Sequence, residues 1–162
     1  MVDTRKLVWI AQAAAILLVT GMFKLPALIP GLEFQLSAPF AVVIAAVFGF
    51  KIYFIAGLIA AALSLLLGTS NIFNIGIALV FRLAVGAWFA GWGRTNLSVL
   101  TAAAVGSLIA RAVMAFILDV PFIPLAISVL PGMIISGIVA LLLYRAWQRV
   151  PLMMPQGLDK VR

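Results

Sequence analysis

Apolar residues fill the chain in six blocks, separated by short segments of turn-forming and polar residues. A helix that crosses a bilayer needs about 20 predominantly apolar residues. On that measure the chain predicts helices over 7–23, 37–50, 52–67, 75–93, 96–118 and 123–144. The breaks carry recognisable turn chemistry. The segment 24–36 contains Pro26, Pro30 and Gly31, residues 68–74 read GTSNIFN, and residues 119–124 read DVPFIP. The second block is short, and the tripeptide Gly49-Phe50-Lys51 marks its junction with the third. There is no internal repeat and no low-complexity segment.

Charge decides whether the second and third blocks are two helices or one. With six helices and the N-terminus inside, the inner side receives Arg5, Lys6, Lys51, Arg94, Arg145, Arg149, Lys160 and Arg162. The outer side receives Lys24 with the acids Glu33 and Asp119. Merging the two blocks buries Lys51 and moves Arg94 to the face opposite Arg5 and Lys6. Six helices therefore satisfy the excess of cations on the inner side, and five do not. Trp9, Tyr53, Trp92, Tyr144 and Trp147 fall at inner helix ends, with Trp88 one turn deeper. Amphipathic rings collect at the headgroup level, so these residues mark an inner interface.

Composition agrees. Of 162 residues, 66% are hydrophobic and 9% charged, too apolar for a water-soluble domain. The net charge of +7 sits singly between apolar runs, which reads as a topology signal rather than a nucleic-acid surface. Arg5-Lys6 followed by an apolar run is similar to a signal peptide, but no clear small-x-small site follows, so the segment is expected to stay. The expectation is an all-α integral membrane protein. It is one domain over 1–162, a six-helix bundle with both termini cytoplasmic and a loose tail from 145 to 162.

The chemistry-bearing residues are few. Histidine and cysteine are absent, which removes disulfides, thiolate metal sites and the usual general base near neutral pH. No pair of neighbouring carboxylates and no phosphate-cradling glycine loop is present, so the chain points away from an enzyme, an ATPase, a metal centre or a bound cofactor. Two arginines fall inside helices, Arg82 in the fourth and Arg111 in the fifth. Both are expected about 12 Å below the outer surface. An unpaired arginine in a membrane costs about 2.5–3.5 kcal/mol even on the lenient insertion scale. Either the two hold an anionic group such as a carboxylate, or they pair with Asp119 or Glu33, or they snorkel. Around the outer mouth lie Glu33, Gln35, Asn71 and Asn74, with Lys24, Ser37, Thr69 and Ser70, as ligand contacts or as solvated loops. Asp119 reads as a helix end or a partner of Arg111. Small residues recur at four-residue spacing in Ala11/Ala15, Gly57/Ala61, Gly86/Ala90 and Gly132/Ser136, where helices approach closely. Pro131-Gly132 is expected to kink or delay the sixth helix.

Together these features resemble the substrate-binding S subunit of energy-coupling factor transporters, which import vitamins. The resemblance spans size, six helices, inner termini and a long first outer loop. That loop runs into LEFQLSAPFAVVIAAVFGF, like the opening of the second helix in such subunits, and FIAGLIAAALSLLLGT resembles their third. It implies capture of a small solute near the outer face, at Arg82, Arg111, Asn71 and Glu33. It also implies that Ala11 and Ala15 pack against a transmembrane coupling subunit, with two ATPases driving import in a prokaryotic plasma membrane. The alternatives are a non-transport scaffold of a cell-envelope complex and a stand-alone transporter. Two intramembrane arginines are of little use to a scaffold, and no inverted repeat marks a secondary transporter.

Overall fold

The computed structural model describes residues 4–25 and 34–149. It is a bundle of six helices: α1 Thr4–Met22, α2 Ser37–Phe48, α3 Phe50–Leu66, α4 Ile72–Trp92, α5 Asn96–Leu118 and α6 Phe122–Gln148. A two-residue antiparallel pairing, Lys24–Leu25 with Phe34–Gln35, closes the ends of the first loop. The six expected helices are all present; α5 has its expected bounds and α2 its expected start, and the other boundaries shift by a few residues. The larger differences are an earlier start for α4 and a run of α6 through Arg145 to Gln148, which shortens the expected tail. Pro131 sits inside α6 without interrupting it. This is an all-α membrane bundle.

Four of the helices, α1, α4, α5 and α6, are long and apolar enough to cross a bilayer. Large apolar residues such as Leu66, Phe116 and Ile134 stand exposed on the bundle surface, where lipid replaces water as their environment. The short helix α2 has a different role. Its 12 residues span about 18 Å, yet eight of them are buried. It is the central rod, packed against all five other helices. A helix apolar on every face belongs in such a position. Gly49 alone separates α2 from α3, with φ +83°, a backbone conformation open to glycine and strained for other residues. A Cβ there would also press on the Arg94 guanidinium.

One end of the bundle gathers residues from five helices, α1, α2, α4, α5 and α6. Phe48 packs on Trp9 at 4.9 Å and on Trp147 at 5.5 Å between ring centres. The Tyr144 hydroxyl donates to the Arg94 carbonyl at 3.0 Å, and the Trp88 indole donates to the Ser98 carbonyl at 3.2 Å. Lys51 and Arg94 are exposed at this same end. It is the end that the cation excess places inside, and it is called the inner end below. The aromatic belt is thinner than expected, however. Tyr53 is 0% exposed and Tyr144 is 8% exposed, so both rings pack within the bundle, while Trp92 at 69% stands on its surface.

Cysteine labelling checks the orientation, since the native chain has no thiol. Lys51→Cys and Arg94→Cys should react with an impermeant maleimide only after cells are opened, and Asn71→Cys in intact cells. Labelling of Lys51→Cys from outside would overturn the orientation.

Candidate functional site

α4 carries Arg82 at its centre. The residue lies ten positions from Ile72, about 15 Å along the helix from the outer end. It is 9% exposed and sits among alanine, valine, glycine and phenylalanine on the buried side of the helix. Helical side chains lean toward the N-terminus of their helix, and the N-terminus of α4 is its outer end. Arg82 accordingly runs outward across α3 and lies over Gly57, where an added Cβ would collide with Nε, Cδ and Cζ. One turn toward the inner end, the Phe50 ring occupies the equivalent groove over Gly86 and stacks on Phe54 at 5.3 Å. The α3–α4 seam is thus held by two side chains, one cationic and one aromatic, each laid across a glycine. Of the small pairs read from the sequence, Gly57/Ala61 and Gly86/Ala90 mark this seam through their glycines. What approaches those glycines is a side chain rather than a backbone.

The guanidinium has no carboxylate partner among the described residues, and its Nη1 is buried without an acceptor. On α3, one turn from Gly57, stands Tyr53, fully buried with an unpartnered hydroxyl. Tyr53 and Arg82 lie within electrostatic reach of each other. Sequence reasoning assigned Tyr53 to the interface and did not anticipate its burial on the face of α3 that carries Gly57. The signal available was its spacing, since Tyr53 and Gly57 are four apart and share one helix face.

Arg111 is separate. Gly106 of α5 faces Phe81 and Val85 of α4, which sets Arg82 and Gly106 at one level. Arg111 lies five residues further along α5, about 7 Å nearer the outer end. It also follows the spacing of Leu100, Ala104 and Ser107, the face whose Leu100 carbonyl abuts Gly137 of α6. The two arginines therefore differ in depth and in the helix they face. Arg111 is half-buried and donates from Nη1 to the Met114 sulfur at 3.5 Å. Asp119 does not pair with it. It ends α5 at φ +52°, a left-handed conformation that aspartate tolerates.

The remaining expected contacts scatter. Asn71 caps α4, its Oδ1 accepting from the Asn74 backbone N–H at 2.8 Å, so Asn71 has a structural duty. Gln35 lies opposite Lys24 in the loop pairing, and Glu33 lies outside the described residues. Ala11 and Ala15 are exposed on the outside of α1, while Ala13, Ala14 and Leu17 face the core.

The glycine seam gives a stability test. Gly57→Ala should destabilise the protein in detergent by about 1–3 kcal/mol, the cost of overpacking. Gly76→Ala, on the same α4 but with open space around it, should be neutral or stabilising. Thermal unfolding reads both. Equal effects at the two glycines would show that Arg82 does not lie across Gly57.

No described family profile matches the chain, and no solved structure matches it. A curated protein does: Protein BioX of Lysinibacillus sphaericus is 47% identical over 136 residues, covering 84% of this chain and 82% of that protein. Identity at that level, carried across nearly the whole bundle, leaves one assignment: the chain belongs to the BioX family.

Proposed function

We propose that the protein is the substrate-binding subunit of an energy-coupling factor importer, capturing a small vitamin-like acid from outside. The observation that carries this reading is Arg82. A buried guanidinium with no counter-ion among the described residues is stable in a membrane interior when an anion neutralises it. A carboxylate suits the planar fork of arginine, and the low dielectric strengthens the pair relative to water. The side chain leans outward, toward the side from which an imported solute arrives. The kinship with Protein BioX supports the same reading.

Import requires energy that this chain has no motif to extract from ATP. A transmembrane coupling subunit and two ATPases would supply it. Ala11 and Ala15, exposed on α1, offer a strip on which another helix can approach closely. The bundle would then act as a carrier whose site is loaded from outside and discharged by its partners.

Two experiments test this. Biotin, a monocarboxylate, is the first probe, on the prefix of the relative's name, followed by other carboxylate-bearing vitamins. Titration should give saturable binding to wild type. Arg82→Ala should weaken it by about 2–5 kcal/mol, roughly thirtyfold or more. Arg82→Lys should also weaken it, since it keeps the charge and loses the fork. Unchanged affinity in a folded Arg82→Ala protein would reassign Arg82 to a structural role. Separately, Ala15→Trp should prevent copurification with the coupling subunit while leaving ligand affinity intact. Loss of the isolated protein instead would show the strip to be internal packing.

A further inference from the structure

Among the described residues, three buried side-chain polar atoms lack a hydrogen-bond partner: the Tyr53 hydroxyl, Arg82 Nη1 and Trp147 Nε1. The last belongs to the aromatic cluster at the inner end. The other two share the α3–α4 seam. Buried polar groups are almost always paired, and a phenol hydroxyl in a protein interior normally finds a partner. Two such exceptions on facing helices, within electrostatic reach of each other, point to an absent third group.

The chemistry of the pair specifies that group. Arginine only donates, and a neutral phenol beside a cation is most useful as a donor. Two donors call for an acceptor with at least two lone pairs in different directions. An ionised carboxylate accepts at both oxygens and donates nothing. The charge count adds a second restriction. Arg82 brings one positive charge, Tyr53 brings none, and Arg111 faces a different helix about 7 Å nearer the outer end. A single anionic charge is neutralised there, and a second would be buried uncompensated.

We propose that Tyr53 is the second ligand-binding residue of the Arg82 site, its hydroxyl and the Arg82 guanidinium holding the two oxygens of one monocarboxylate between α3 and α4. This rests on the reading of Arg82 as an anion-binding residue. Gly57 supports the arrangement by letting the guanidinium lie along α3, one helical turn from the backbone position of Tyr53. Tyr53 supplies direction without charge. It therefore selects for a carboxylate over a neutral group and does not invite a dianion.

The test compares wild type with Tyr53→Phe, which keeps the ring and its packing and removes only the hydroxyl. Thermal unfolding is measured without ligand. Affinity is then measured for biotin, nicotinate, pantothenate and lipoate, each beside its primary amide. Without ligand, Tyr53→Phe should unfold at or above the wild-type temperature, because it discards an unpaired buried hydroxyl. For the acid that wild type binds, affinity should fall about tenfold or more, the effect of losing a hydrogen bond to a charged group. The amide, weaker from the start, should lose less. A clear drop in the ligand-free unfolding temperature would overturn the proposal, since the hydroxyl would already have a partner within the protein. Unchanged acid affinity in Tyr53→Phe, with binding lost in Arg82→Ala, would overturn the role of Tyr53 and leave that of Arg82 standing. Failure of wild type to bind any of the four acids would overturn both readings.

Discussion

A guanidinium buried at the centre of a membrane helix, with no carboxylate to meet it among the described residues, is the constraint on which the rest of this structure turns. Arg82 is an always-charged group in a medium where charge is expensive. Among the described residues Arg82 has no acidic partner, and Asp119 is committed to ending α5. What the fold supplies is a place to lie. Gly57 removes every side-chain atom from the surface that Arg82 crosses, and Phe50 fills the groove over Gly86 one turn closer to the inner end. These contacts fix the register of α3 against α4. A charge held so firmly, with no acidic partner among the described residues, is what the proposed carboxylate would meet.

The surrounding bundle makes such a site possible. α2, buried among its five neighbours, sets the helices far enough apart to bury a charged side chain and close enough to exclude water. The Trp9–Phe48–Trp147 cluster ties α1, α2 and α6 together at the inner end, and Tyr144 fastens α6 to the α4–α5 turn. Polar cohesion is concentrated at that end, whereas the outer mouth is built from loops and caps such as Asn71.

Much of this was legible in the sequence, for physical reasons. A bilayer demands long apolar runs and sorts cations to one side, so helix number and the split between α2 and α3 follow from hydropathy and from Lys51 and Arg94. The shortness of α2 looked like a weakness and is the mark of a central helix packed against all five others. Azimuth was harder. Where a helix is apolar on every face, no polar stripe shows which way a residue points. Arg82 and Arg111 therefore read as one pair, although they differ in depth and in the helix they face. Tyr53 was misplaced for a related reason: near the inner end of a span, a tyrosine that anchors in headgroups and one that lines a site look alike until packing is known. Gly57 was noticed as a small residue, but nothing in its spacing says that a guanidinium is what it accommodates.

The central claim is that an exogenous anion, rather than the protein, neutralises Arg82. Native mass spectrometry of the detergent-purified wild-type protein tests it most directly. The account predicts one small carboxylic acid retained per chain, released when the protein is unfolded. A bare wild-type chain that stays folded and takes up no acid would contradict it, because Arg82 would then be tolerated with no anion at all.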